Sequence, residues 1–190
     1  ADFAATVHVG AERPRAAGRS EHHAPHVDAA RAQRFADPVA VRERMLHNYG
    51  AIVTAPGLIG MMRRYLELLA AGEGPVLIHC MAGKDRTGVA VAMAQLAAGV
   101  HRDDVLEDYL LTNTAGDPEA RIAAGREAVE AAAGPIEDDA LRVLMGVEAE
   151  YLENAFAVAG ERHGSIDGYL REVLGADDAL RTRLLRAVVE

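Results

Sequence analysis

Cys80 and Lys84 are the only cysteine and the only lysine of the 190-residue chain, and both lie in the run His79-Cys80-Met81-Ala82-Gly83-Lys84-Asp85-Arg86-Thr87-Gly88. A cysteine six residues before an arginine, with glycines between and beyond, is a pattern able to attack phosphorus. A thiol does so only as the thiolate. Converging backbone N–H groups, a helix N-terminus and a guanidinium all favour that anion. In such a loop Cys80 is the nucleophile, and Arg86 holds two equatorial phosphoryl oxygens in its planar fork. Thr87 is placed to donate to the sulfur and so to help the thiolate leave. Gly83 and Gly88 suit sharp turning or close approach of backbone to ligand. Met81 and Ala82 complete the substrate-binding stretch, and His79 is better placed to brace the loop than to touch substrate. These roles fit a two-step covalent mechanism through a phosphocysteine.

The elements around the run must position it. Pro75-Val76-Leu77-Ile78 reads as a buried strand, and Val89-Ala90-Val91-Ala92-Met93-Ala94-Gln95-Leu96 as a helix apolar on nearly every face. A strand, a glycine-bearing loop and a buried helix N-terminus form an anion site. A lone buried cysteine is ordinarily a small core hydrophobe, and a bare Cys-x5-Arg spacing carries little. Here His79, Gly83, Arg86, Thr87 and Gly88 all coincide with it in the required context.

With these residues in place, the loop resembles that of the Cys-x5-Arg protein tyrosine phosphatase superfamily. It is most similar to the bacterial branch of atypical tyrosine and lipid phosphatases, which includes secreted mycobacterial enzymes of dual tyrosine and phosphoinositide activity. Asp108-Tyr109-Leu110-Leu111-Thr112-Asn113 and Ser165-Ile166-Asp167-Gly168-Tyr169-Leu170 also resemble that branch, so the likeness spans residues 45–190. The resemblance implies Cys80 as nucleophile, Arg86 as phosphate clamp and Lys84 as an extra charge facing substrate. Most tyrosine phosphatases take their general acid from a Trp-Pro-Asp loop, but this chain has no tryptophan. The atypical branch is thought to use the aspartate inside the loop, here Asp85. Protonation there is favoured in the complex, where the bound phosphate and the thiolate are both anionic. Asp28, Asp37 and Asp108 are weaker rivals, and a brace for the loop N–H groups is the bland reading of Asp85. The chain departs from the branch in lacking an Asn-Phe-Arg-Asp-x-Gly-Gly segment and a further strand region before the loop. At least one partner strand is therefore expected from residues outside it.

The implied fold is α/β: a small parallel sheet flanked by helices, with the phosphate-binding loop between a central strand and a buried helix. A helical C-terminal lid region over residues 115–165 completes it, with Gly134-Pro135 and Gly164 as hinge points. Residues 1–190 read as a single phosphatase domain lacking its N-terminal strand region. Only the opening Ala1–Val9 and residues 75–79 read as strands. Residues 10–40 read as an irregular connection, 56–71 as a helix, and 103–113, 118–132, 137–163 and 177–188 as further helices.

The formal charge of −9 argues against a nucleic-acid partner, which would require a basic face. No stretch is apolar enough for stable membrane insertion, and no secretory signal is legible. A single cysteine excludes an internal disulfide and fits a reducing compartment such as the cytoplasm, although the resemblance allows export as a bacterial effector. Arg13, Arg15 and Arg19 read as a solvated loop more readily than as a second phosphate site. His22, His23 and His26 lack a completing ligand, so neither metal nor cofactor is expected. The implied partner is a phosphotyrosine protein or a phosphoinositide, with phosphoserine and phosphothreonine as extensions. A phosphate-binding pseudophosphatase and a rhodanese-like sulfur transferase are the alternatives.

Overall fold

The structure, a computed structural model, describes residues 5–8 and 37–189. Arg13, Arg15, Arg19, His22, His23, His26 and Asp28 lie outside the described residues. Two short strands, β1 (Ala5–His8) and β2 (Val76–His79), pair in parallel, with Ala5 opposite Val76 and His8 opposite His79. Around them the described chain is predominantly helical. The helices are α1 (Pro38–Ile52), α2 (Pro56–Ala71), α3 (Asp85–Ala97), α4 (Arg102–Leu110), α5 (Pro118–Ala133), α6 (Asp138–Met145), α7 (Ala149–His163), α8 (Ile166–Glu172) and α9 (Asp178–Val189).

Helix α1 occupies sequence that reads as an irregular connection up to residue 40 and is left unassigned beyond it. Its start is nonetheless written locally. The Asp37 side chain accepts from the Val39 N–H at 2.9 Å, and Pro38 sits in the first turn, where no N–H partner is needed. Val41, Met45, Tyr49 and Ile52 recur on one face, and all are buried. Asp37 is thereby a helix cap. Helix α2 ends as expected at Gly72, whose φ of 62° is open to glycine at little cost.

The stretch expected to form one helix over 137–163 is two. Helix α6 stops at Met145, and Gly146-Val147-Glu148 turns the chain into α7. A side chain at Gly146 would press on the Arg142 carbonyl at 2.9 Å. Helix α8, absent from the sequence reading, starts at a Ser165 cap that accepts from the Gly168 N–H at 2.9 Å. A Cβ at Gly168 would lie 2.1 Å from the His163 carbonyl oxygen, so only glycine permits this tight α7–α8 corner.

Helix α3 runs through the centre, with Val89, Ala90, Ala92, Met93, Ala94 and Ala97 all buried. Small side chains there let α1, α2, α4 and α8 approach it. Helix α1 also packs on α6 and α7, and α9 closes over α2. Among the described residues no helix is long and apolar enough to cross a membrane.

Candidate active site

The strand β2 ends at His79, and the chain turns through residues 80–84 before α3 begins at Asp85. Gly83 takes a φ of 69°, which lets the loop curl back over the helix N-terminus. Cys80 sits at the base of the curl, 7% exposed, while Met81 at the rim is 93% exposed. His79 braces the turn, its Nδ1 lying 3.2 Å from the Cys80 carbonyl oxygen.

Burial on its own raises the Cys80 thiol. The Thr87 hydroxyl and N–H, the Gly83 N–H and the charge of Arg86 together outweigh that and hold it below the ordinary cysteine value. The Thr87 hydroxyl is buried and has no hydrogen bond of good geometry in the resting loop, so the thiolate is the acceptor it serves. The rate of Cys80 alkylation by iodoacetamide is therefore expected to rise through a midpoint below that of a free cysteine thiol. Thr87→Ala should move that midpoint upward. Because the folded value is depressed, the thiolate stabilises the fold above the unfolded thiol's value. That contribution is lost as pH falls through the folded one.

Arg86 is half-buried in the first turn of α3 and forms no ion pair among the described residues. With Asp85 it lines a cleft of about 410 Å³, walled by Met45, Asn48 and Ile52 of α1, by Leu58 of α2 and by Leu144 of α6. One wall of the phosphate loop is thus an apolar groove.

Lys84 is not placed as a charge facing substrate. It is 4% exposed. Its ammonium donates to the carbonyls of Leu144 at 2.6 Å and Gly146 at 2.8 Å, and lies 3.1 Å from Asp85 Oδ1. These carbonyls are left free by the break between α6 and α7, so the lysine serves as a clasp on that helix end. Burial lowers its pKa, against the raising influence of Asp85. Asn113 secures the same segment from the other side. Its Nδ2 donates to the Val147 carbonyl, and its Oδ1 accepts from the Val147 N–H, both at 2.9 Å. Lys84→Ala would orphan two carbonyls and a carboxylate partner, at a cost of about 2–4 kcal/mol. Because the ammonium holds Leu144 in the cleft wall, thermal melts should show that loss as a lowered midpoint, and an unchanged melt would remove the clasp.

Asp85 sits in the first turn of α3 with its side chain 30% exposed. Its Oδ1 accepts from the Tyr49 hydroxyl at 2.8 Å. The rival Asp108 accepts from Gln95 Nε2 at 2.8 Å and borders a second cleft with Gly83 and Thr87. Gly88 has a role that the loop pattern does not announce: a Cβ there would meet the Tyr109 ring at 2.9 Å, so glycine lets that ring lie flush on α3. Sequence reasoning missed Tyr49 and the α1 wall. The signal was the spacing of Val41, Met45, Tyr49 and Ile52 behind Asp37-Pro38.

A thiol of depressed pKa at a helix N-terminus, an arginine in the first turn and a glycine-turned loop define a cysteine-based oxyanion loop on an α/β scaffold. The chain belongs to the tyrosine phosphatase family, whose pattern it matches over residues 3–190. It is similar to the triple specificity protein phosphatase PtpB of Mycobacterium tuberculosis, with 39% identity over 140 residues, covering 70% of this chain and 50% of the relative. It is also similar to H16_A0669 of Cupriavidus necator, provisionally named a tyrosine-protein phosphatase, with 33% identity over 148 residues, 77% of this chain and 51% of that one. A tyrosine-protein phosphatase of Nostoc commune is 26% identical over 114 residues, 57% of this chain and 37% of its own. The chain spans about half the length of the first two relatives.

Proposed function

We propose that this chain hydrolyses phosphate monoesters, phosphotyrosine side chains foremost, through a phosphocysteine on Cys80. In the first step Cys80 Sγ bonds to phosphorus as the bond to the leaving oxygen breaks, and Asp85 gives that oxygen its proton. Arg86 and the loop N–H groups hold the three non-bridging oxygens, where negative charge is greatest in the transition state. In the second step water attacks phosphorus and yields its proton to Asp85, and the sulfur leaves as a thiolate that Thr87 stabilises. Met81, Ala82, Gly83 and Gly88 shape the cradle, and His79 supports it.

The observation that carries this reading is the depressed thiol of Cys80 beneath a loop whose arginine lines an open cleft. The mycobacterial relative's name as a triple specificity protein phosphatase supports a substrate range wider than phosphotyrosine, and phosphoserine, phosphothreonine and phosphoinositides belong to the same proposal. The architecture we infer is one domain, with a small parallel sheet flanked by helices and a lid within residues 115–165. The burial of Cys80, the placing of Leu144 in the cleft wall and the Lys84 clasp on the end of α6 all support that lid.

A p-nitrophenyl phosphate assay run beside a thiosulfate–cyanide sulfur-transfer assay tests the reaction class. Turnover in the first alone is expected. Turnover in the second alone would make the chain a sulfur transferase, and phosphate binding without either would make it a binding module.

A further inference from the structure

The loop aspartate is held from behind by two tyrosines that lie far from it in sequence. Tyr49 is fully buried on α1, and Tyr109 is 4% exposed on α4. Their hydroxyl oxygens are 2.6 Å apart, and the rings meet edge to face with centroids 6.3 Å apart. Either hydroxyl could donate in an isolated pair. Here the Tyr49 proton goes to Asp85 Oδ1 at 2.8 Å, so the proton between the tyrosines must come from Tyr109. The chain of donation therefore runs Tyr109 to Tyr49 to Asp85. Burial, reinforced by the Asp85 charge, pushes the Tyr49 hydroxyl far above the ordinary phenol value. Burial does the same to Tyr109, so both stay protonated and the direction is fixed.

The second feature is asymmetry within the carboxyl group. Oδ1 takes the Tyr49 hydroxyl and faces the Lys84 ammonium at 3.1 Å. Oδ2 has no hydrogen-bond partner among the described residues, and Asp85 borders the cleft beside Arg86. An oxygen already accepting from two donors is a poor place for a further proton.

We propose that Tyr49, held by Tyr109, is a positioning residue for acid catalysis: it commits Asp85 Oδ1 to acceptance, so that the transferable proton resides on Oδ2, toward the leaving group. The groups facing Asp85 are Lys84 and Arg86 of the loop region, Tyr49 of α1 and Tyr109 of α4, with Tyr151 of α7 behind Tyr49 at a ring separation of 5.4 Å. Gly88 belongs to the device as well, because its missing side chain admits the Tyr109 ring.

This inference rests on Asp85 being the acid, and the experiment keeps the two apart. Purified wild type, Tyr49→Phe, Tyr109→Phe, Asp85→Asn and Tyr49→Phe/Asp85→Asn are assayed with phenyl phosphate and p-nitrophenyl phosphate, with thermal melts to confirm folding. Loss of one hydroxyl from a residue that acts through the acid should lower kcat for phenyl phosphate by about tenfold, and for the activated ester by about twofold or less. Tyr109→Phe, which leaves the Tyr49 bond in place, should show the same selectivity more weakly. In the Asp85→Asn background Tyr49→Phe should add no further selectivity, because the two changes share one route. Equal losses with both esters, no loss, or full additivity in the double variant would overturn the proposal. If Asp85→Asn itself lacks leaving-group selectivity, the reading of Asp85 is wrong and the Tyr49 proposal falls with it. If Tyr49→Phe does not fold, the same comparisons on Tyr109→Phe decide.

Discussion

Cys80→Ser is expected to remove turnover while leaving a protein that still binds phosphate and substrate. The serine hydroxyl replaces a thiolate that the loop holds below its ordinary pKa, and the loop cannot do the same for an alcohol whose own pKa is far higher. Loss of a covalent nucleophile costs about 10^4-fold in kcat or more. The binding groups are untouched, since the Gly83 and Thr87 N–H groups and the Arg86 guanidinium do not depend on sulfur. Rapid quenching of wild type with 32P-labelled substrate should leave label on Cys80, stable until water attacks in the second step. Substantial turnover by Cys80→Ser would sink the phosphocysteine mechanism. Label on a histidine instead would relocate the nucleophile.

The second large effect concerns Asp85→Asn. An amide of nearly the same shape can keep the bond from Tyr49 through its carbonyl oxygen, so the fold around Oδ1 survives. It cannot deliver a proton to the leaving oxygen. The demand for that proton grows as the leaving group becomes more basic. Phosphotyrosine and phenyl phosphate should therefore slow by about 10^2–10^3-fold, against about tenfold or less for an activated aryl ester. The basic limb of the kcat profile should flatten, since that limb reports loss of the donated proton. A uniform loss across leaving groups, with the pH profile unchanged, would leave Asp85 as a brace and move the acid elsewhere. The Lys84 clasp on α6 survives the change, because its hydrogen bonds go to the Leu144 and Gly146 carbonyls.

The legibility of the strand–turn–helix order and the missing of its surroundings have the same cause. The candidate site residues of the loop lie within ten consecutive positions, and the backbone between strand and helix is forced into one of few shapes by Gly83 and by the apolar Val89–Leu96 stretch. Local order therefore decides where Cys80, Arg86 and Thr87 stand relative to one another. The motif around Asp108–Asn113 was legible as a likeness but not as a mechanism. Its tyrosine reaches Tyr49, 60 residues away, and its asparagine reaches Val147, 34 residues on.

Lys84 marks the limit most clearly. A lysine beside a phosphate loop reads from sequence as one more charge for an anionic substrate, because charge is all that the one-dimensional pattern supplies. Its direction is set by where α6 ends, and α6 ends where Gly146 stops a helix that the sequence reads as continuous through residue 163. An ammonium within reach of two free helix carbonyls is drawn to them, since leaving them dry would cost more than forgoing a solvent-exposed position. The sequence by itself determined the strand–loop–helix cradle and the placing of Cys80 and Arg86 within it, because these follow from contiguous residues and local backbone geometry. Only the tertiary structure decided the cleft wall, the direction of Lys84 and the tyrosine pair behind Asp85, because those depend on which helix faces close on α3.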